Sequence, residues 1–139
     1  MLNLHLKIIT PKKVVLEKDI KSISLPSEEG EITILPRHTN LFSLLKEGII
    51  KIKSETKEDF LAIGGGYLET DGEVVNILVT RAYGQDEIDE ELTKKSIEDA
   101  KKIISQAKDN QQLVEAASLL RKSIIDIKLL KRKRTPRSI

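Results

Sequence analysis

Glu28-Glu29-Gly30-Glu31-Ile32-Thr33-Ile34-Leu35-Pro36-Arg37-His38-Thr39-Asn40-Leu41 reads as an acidic turn, a short strand, a proline stop, a polar corner and the start of another strand. Gly30 permits the backbone angles of a tight turn. Ile32 and Ile34 alternate with Glu31 and Thr33, the period of a strand with one dry face. Pro36 has no N–H to donate and ends the ladder. The stretch carries no active-site signature. It predicts a rigid corner that presents the Glu31 carboxylate at a tip.

Outward from this corner, short strands with turn signals run from Met1 to about Gly84. On the N-terminal side Leu2, Leu4, Leu6 and Ile8 share one face and Asn3, His5 and Lys7 the other. Pro11-Lys12-Lys13 turns the chain into Val14-Val15-Leu16. Ile23 and Leu25 alternate with serines in a third strand, expected to stop at Pro26. On the C-terminal side come Leu41–Leu45, a strand with Ile50 and Ile52 inward, and a turn over Ser54–Lys57. Phe60–Ile63 and Tyr67–Thr70 flank Gly64-Gly65-Gly66. Asp71-Gly72 is a hairpin signal, since both residues tolerate positive φ. Val74 to Val79 is apolar on both faces, so this strand is expected to lie centrally. Its second side would be covered by the other sheet plus a docked helix, or by a partner protein.

After Asp86 the period becomes helical. Leu92, Ile97, Ala100, Ile103, Ile104 and Ala107 recur mostly at three- and four-residue steps. Asp86, Glu87, Asp89, Glu90 and Glu91 crowd the start, where negative charge suits the helix dipole. Asp109-Asn110 breaks this helix, and Asp109 with Gln112 resembles a capping box for a second. There Leu113, Ala117, Leu120, Ile124 and Ile127 recur. The expected architecture is an N-terminal β-sandwich of about ten short strands (1–86), then an antiparallel two-helix hairpin (87–134) and a frayed tail (135–139). Alanines at several seam positions make an isolated hairpin marginal. It needs a surface to lie on and could exchange one surface for another. Tyr83-Gly84-Gln85 is the candidate hinge.

Composition narrows the function. The 139 residues contain no cysteine, which excludes disulfides and thiolate metal sites. No apolar run approaches the roughly 20 residues that span a bilayer. The N-terminus lacks a basic-then-apolar leader, so a soluble protein is expected, associated with membrane only through partners. The net charge of +2 hides an asymmetry. From Arg121 to Ile139 there are eight basic residues and one acid, Asp126, leaving 16 basic and 21 acidic residues elsewhere. A basic end on a mildly acidic body suggests an anionic partner.

No catalytic constellation is visible. His5 lies on the polar face of its strand and reads as a surface residue. Without a second nearby histidine or a cysteine, neither His5 nor His38 suggests a metal site. No nucleophile elbow accompanies His38, which reads as fixing loop geometry or touching a partner. The triple glycine lacks the Lys-Ser/Thr of a phosphate-binding loop and opens no helix, so a bulge or close backbone approach is the preferred reading. Four aromatics and no tryptophan offer no base-stacking surface.

The Glu28–Leu41 stretch resembles the EGE-x-GILPGH-x-P-L segment of the epsilon subunit of F-type ATP synthases. Ala62-Ile63-Gly64-Gly65-Gly66-Tyr67-Leu68-Glu69 resembles that family's GG-aromatic/aliphatic-E segment. Gly84-Gln85-Asp86-Glu87-Ile88-Asp89 resembles its GQD-x-x-D junction. The resemblance runs in order from about Leu4 to about Lys131. Thr33 and Arg37 stand where the family has glycines, and Asn40 where it often has proline.

The resemblance implies a non-catalytic central-stalk subunit of a proton- or sodium-translocating synthase, peripheral to the cytoplasmic face of a bacterial inner membrane. Its implied partners are the gamma subunit, the c-ring and the alpha/beta head, with no cofactor, nucleic acid or small-molecule substrate. It implies c-ring contact through Gly30, Glu31 and Ile32, and gamma contact or loop geometry through His38 and Leu41. It implies inhibition of ATP hydrolysis by the hairpin, with Arg121, Lys122, Lys128, Lys131 and Arg132 meeting acidic segments of the head. Some family members bind ATP through I/L-D-x-x-R-A. Here Ile88 and Asp89 match, but Leu92 replaces the arginine and Thr93 the alanine, so ATP binding is expected to be weak or absent. The rival reading is a β-sandwich adaptor whose basic helical end binds nucleic acid or anionic lipid.

Overall fold

The computed structural model describes residues 3–38 and 40–132. Leu2, Thr39, Lys133, Arg134, Arg137 and the expected tail lie outside the described residues. The chain forms two compact units, one ending at Gly84 and the other spanning Gln85–Arg132. The period change in the sequence predicts this boundary at 86/87.

The first unit holds ten strands: β1 (Leu4–Ile9), β2 (Val14–Ile20), β3 (Ser22–Ser27), β4 (Gly30–Ile34), β5 (Leu41–Leu45), β6 (Gly48–Lys53), β7 (Glu58–Ile63), β8 (Gly66–Thr70), β9 (Val74–Val79) and β10 (Ala82–Tyr83). They pair in the order β10-β7-β6-β3-β5-β8-β9-β1-β2, with β4 on β3. β1 and β9 run parallel, and the other described pairs are antiparallel. At β3–β5 the ladder narrows to Ser27 opposite Leu45, and the sheet folds over into two layers. Leu4, Leu6, Ile8, Leu68 and Ile77 of one layer join Ile23, Leu25, Ile34, Ile50 and Ile52 of the other in one buried core. Each set follows the two-residue period read from sequence. Lys18 of β2 reaches Asp59 of β7 at 3.0 Å, tying the open edge of the two layers.

One local expectation is corrected. Pro26 does not stop its strand. It lies inside β3 opposite Glu31, and its carbonyl accepts from the Lys46 N–H. A proline lacks only a donor, so a ladder position that needs none accommodates it. Asp71 avoids positive φ, leaving Gly72 alone at +92°. Asp71 instead accepts the N–H groups of Glu73 and Val74 with its carboxylate, an Asx turn, and these bonds hold its pKa below the usual range. β9 is central as expected, and Leu78 on its second face is exposed in the chain alone.

The second unit begins with a 3-10 turn at Gln85–Glu87. α1 (Glu90–Gln106) starts later than its acidic run suggested, because Asp89 is the N-cap, accepting from the Leu92 N–H. α2 (Asn110–Leu130) is capped by Asp109, which accepts from Gln112 N–H at 2.8 Å as the capping-box spacing predicted. The expected seam is shifted. Leu92, Ile103, Leu113 and Ile124 are exposed, while Thr93, Ala100, Ala116, Ser123, Asp126 and Leu129 are buried. Small side chains let helix backbones approach, and a count of large aliphatics overlooks them.

Candidate functional site

The acidic corner around Gly30 is a built feature. Gly30 begins β4 at φ +118°, and a Cβ there would meet open space, so conformation rather than crowding demands glycine. The Ser27 hydroxyl donates to the Gly30 carbonyl and accepts from the Glu29 N–H, bracing the turn. Glu28, Glu29 and Glu31 are exposed. Ile32, expected beside them as a contact, is partly buried against the core. Arg37, standing where the resembling family has glycine, takes φ +66°. Its N–H donates to the Gly72 carbonyl at 2.9 Å, and the His38 N–H donates to Leu35. Leu41 packs inward against the core, so its neighbours Phe42 and Leu44 face outward, 61% and 57% exposed.

Phe42 and Leu44 extend into a feature that the strand periods did not reveal. Val14, Ile9, Leu78, Tyr67 and Leu44 stand in register across β2, β1, β9, β8 and β5. These side chains share the outer face and form an apolar band across five strands, with Val14, Leu78 and Leu44 plainly exposed. The adjacent row, Glu17, Lys7, Asn76 and Glu69, is polar until it meets Phe42. A shallow cleft beside Phe42 is lined by Asn40, Glu69, Asp71 and Asn76. Exposed apolar patches rimmed by polar residues mark interaction surfaces. Alternation inside each strand had hinted at this face only through the two-sided apolarity of Val74–Val79.

The triple glycine is a close approach. A Cβ on Gly66 would lie 1.9 Å from the Leu78 carbonyl oxygen, and one on Gly64 2.1 Å from Thr80 Oγ1. His5 is more than a plain surface residue. In its protonated form it donates from Nε2 to Glu17 at 2.8 Å and from Nδ1 to Asp19 at 2.9 Å. Glu17 first and Asp19 second raise its pKa above the ordinary 6.5, and His5 lowers that of Glu17 in return.

In the helical unit, Asp89, which matches the nucleotide-binding pattern only in part, caps α1, its side chain accepting from the Leu92 N–H. Its backbone carbonyl accepts from Thr93 N–H and from Thr93 Oγ1, the latter at 2.8 Å. Leu92 is exposed and Ile88 half-buried. Of the basic residues, Arg121, Lys128, Lys131 and Arg132 are exposed or half-buried, while Lys122 binds the buried carboxylate of Asp126 at 3.1 Å. Among the described residues no group of His, Asp or Glu could hold a metal ion, and no helix is long and apolar enough to cross a membrane.

The fold and its surfaces define a sandwich-plus-hairpin protein whose exposed chemistry is an apolar band, an acidic tip and a basic helix end. Residues 3–85 match the family described as ATP synthase, Delta/Epsilon chain, beta-sandwich domain. The chain is 37% identical over 109 residues to the ATP synthase epsilon chain of a Nitratiruptor species, covering 78% of this chain and 84% of that one. It is 42% identical over 103 residues to the epsilon chain of Campylobacter curvus, with 73% and 79% covered. It is 32% identical over 120 residues to the cyanelle epsilon chain of Cyanophora paradoxa, with 86% and 91% covered. A chain in the Euglena gracilis mitochondrial ATP synthase structure (OSCP/F1/c-ring) shares the fold with TM-score 0.82 at 24% identity, covering 92% of this chain and 81% of that one. The chain belongs to the ATP synthase epsilon-chain family.

Proposed function

We propose that this chain is a non-catalytic central-stalk subunit of an ion-translocating ATP synthase, docked on the gamma subunit through the outer face of its sandwich. The five-strand apolar band carries this reading. A solvated sheet face has no reason to align Val14, Leu78, Tyr67 and Leu44 in one row. The acidic tip of Gly30 and Glu31 meets the polar loops of the c-ring. The complex holds the protein at the cytoplasmic face of a bacterial membrane through its partners. The helical unit restrains ATP hydrolysis by presenting Arg121, Lys122, Lys128, Lys131 and Arg132 to acidic segments of the alpha/beta head. Shifting such a two-state element from 1:99 to 99:1 takes about 5.5 kcal/mol of differential binding, within reach of several ion pairs plus apolar contacts.

Purified chain mixed with purified gamma subunit tests the docking. Co-elution is expected, and its absence at micromolar concentration overturns it. Truncation after Asp86 in the reconstituted enzyme tests the restraint. Faster ATP hydrolysis is expected, and an unchanged rate overturns it.

A further inference from the structure

A helix C-terminus leaves its last carbonyls without the N–H of a next turn, and at the end of α2 the Leu129 carbonyl takes the Arg132 N–H at 3.0 Å instead. Two carbonyls at this end, those of Leu129 and Arg132, converge on one side chain from the start of the helical unit. The Gln85 amide Nε2 donates to Leu129 O at 2.6 Å and to Arg132 O at 2.9 Å, across sequence separations of 44 and 47 residues. The Gln85 backbone is held as well, since its carbonyl accepts from the Ile88 N–H in the 3-10 turn. Leu129, between these bonds and the rest of α2, is fully buried. An amide NH₂ is suited to this position because it supplies two donors in one plane. It also places positive partial charge at the negative end of the helix dipole.

We propose that Gln85 is a clasp that fastens the C-terminal end of α2 to the start of the helical unit, and that opening it is the first step by which α2 parts from α1. The seam between the helices buries mainly small side chains, Thr93, Ala100, Ala116 and Ser123, so each position there contributes little apolar burial and an end contact adds to that hold. The regulatory meaning of the clasp rests on the restraint of hydrolysis proposed above. The clasp itself does not.

The chain has no cysteine, so Glu91→Cys and Lys128→Cys carry spin labels at defined places on the full-length protein. Distances between the labels and amide exchange over residues 127–132 are measured for Gln85, Gln85→Met and Gln85→Glu. Methionine keeps the shape and removes both donors, and glutamate turns donors into repelled acceptors. A narrow distance distribution is expected for Gln85, with a longer population in both variants. Exchange in the last turn should rise about tenfold for Gln85→Met, and further for Gln85→Glu. The sandwich should melt unchanged. Unaltered distances and exchange in both variants overturn the clasp. If the clasp opens but hydrolysis by the reconstituted enzyme stays the same, the clasp stands and the restraint of hydrolysis falls.

Discussion

The ring of Phe42 stacks on the ring of Tyr67, with centroids 5.2 Å apart and planes inclined by 29°. Tyr67 stands opposite Leu44 and Phe42 opposite Glu69, so the stack runs diagonally between β5 and β8. The contact holds a largely exposed aromatic in one orientation before any partner arrives, which lowers the entropy cost of binding. Phe42→Asp and Leu44→Asp should each weaken binding to the gamma subunit by about 2 kcal/mol or more, roughly thirtyfold in Kd. Both side chains are exposed, so the thermal midpoint of the free protein should barely move. Titration calorimetry and melting curves on the same preparations check both halves.

The carboxylates flanking His5 set a pH dependence. Its folded pKa is raised, so its ion pairs add stability fully present below the unfolded value of 6.5 and lost as pH rises through the folded value. Glu17 is lowered, so its share is present above its unfolded value of 4.5 and lost as pH falls through the folded one. The difference in thermal midpoint between the native chain and His5→Gln should therefore be largest between about pH 4.5 and 6.5 and shrink toward pH 9. A difference that does not vary with pH would show that the imidazole carries no charge in the fold.

Gly66→Ala should be costly. The added methyl would drive into the Leu78 carbonyl, and the obstacle is backbone rather than a flexible side chain. A loss of about 2–4 kcal/mol in urea unfolding is expected, with β8 and β9 losing hydrogen-exchange protection first.

Arg37→Gly should act in the opposite direction. Arg37 sits at φ +66° with its N–H bonded to Gly72, so glycine relieves the left-handed strain and keeps the bond. A gain of about 0.5–1 kcal/mol in the sandwich is expected, less than the full strain because glycine also loosens the unfolded chain. Urea unfolding of the two chains side by side measures it.

Titration with ATP should give no heat that fits a submillimolar site. The carboxylate of Asp89 caps α1, and Leu92 offers no cation where the nucleotide-binding pattern has arginine. Asp89→Ala should cost about 1 kcal/mol of helical stability and leave the response to ATP unchanged. Circular dichroism and calorimetry report the two effects separately.

Local chemistry alone determined much of this protein. The alternation at Leu4, Leu6 and Ile8 and at Ile32 and Ile34, the period change after Asp86 and the cap at Asp109 depend on neighbours a few residues away. The Gly30 turn is equally local, and it kept Glu31 exposed on β4. Tertiary structure decided the rest. Leu41 turned inward and Phe42 outward through the register of β5 against β8, and a shift of one residue would have exchanged them. The apolar band exists only because five strands from distant parts of the chain align. His5 met Glu17 and Asp19 through the β1–β2 register, and Gln85 met the end of α2 across 44 residues. Periodicity reports which face of an element is dry. Which polar atoms meet across elements depends on register and chain return, which the strand and helix periods leave open.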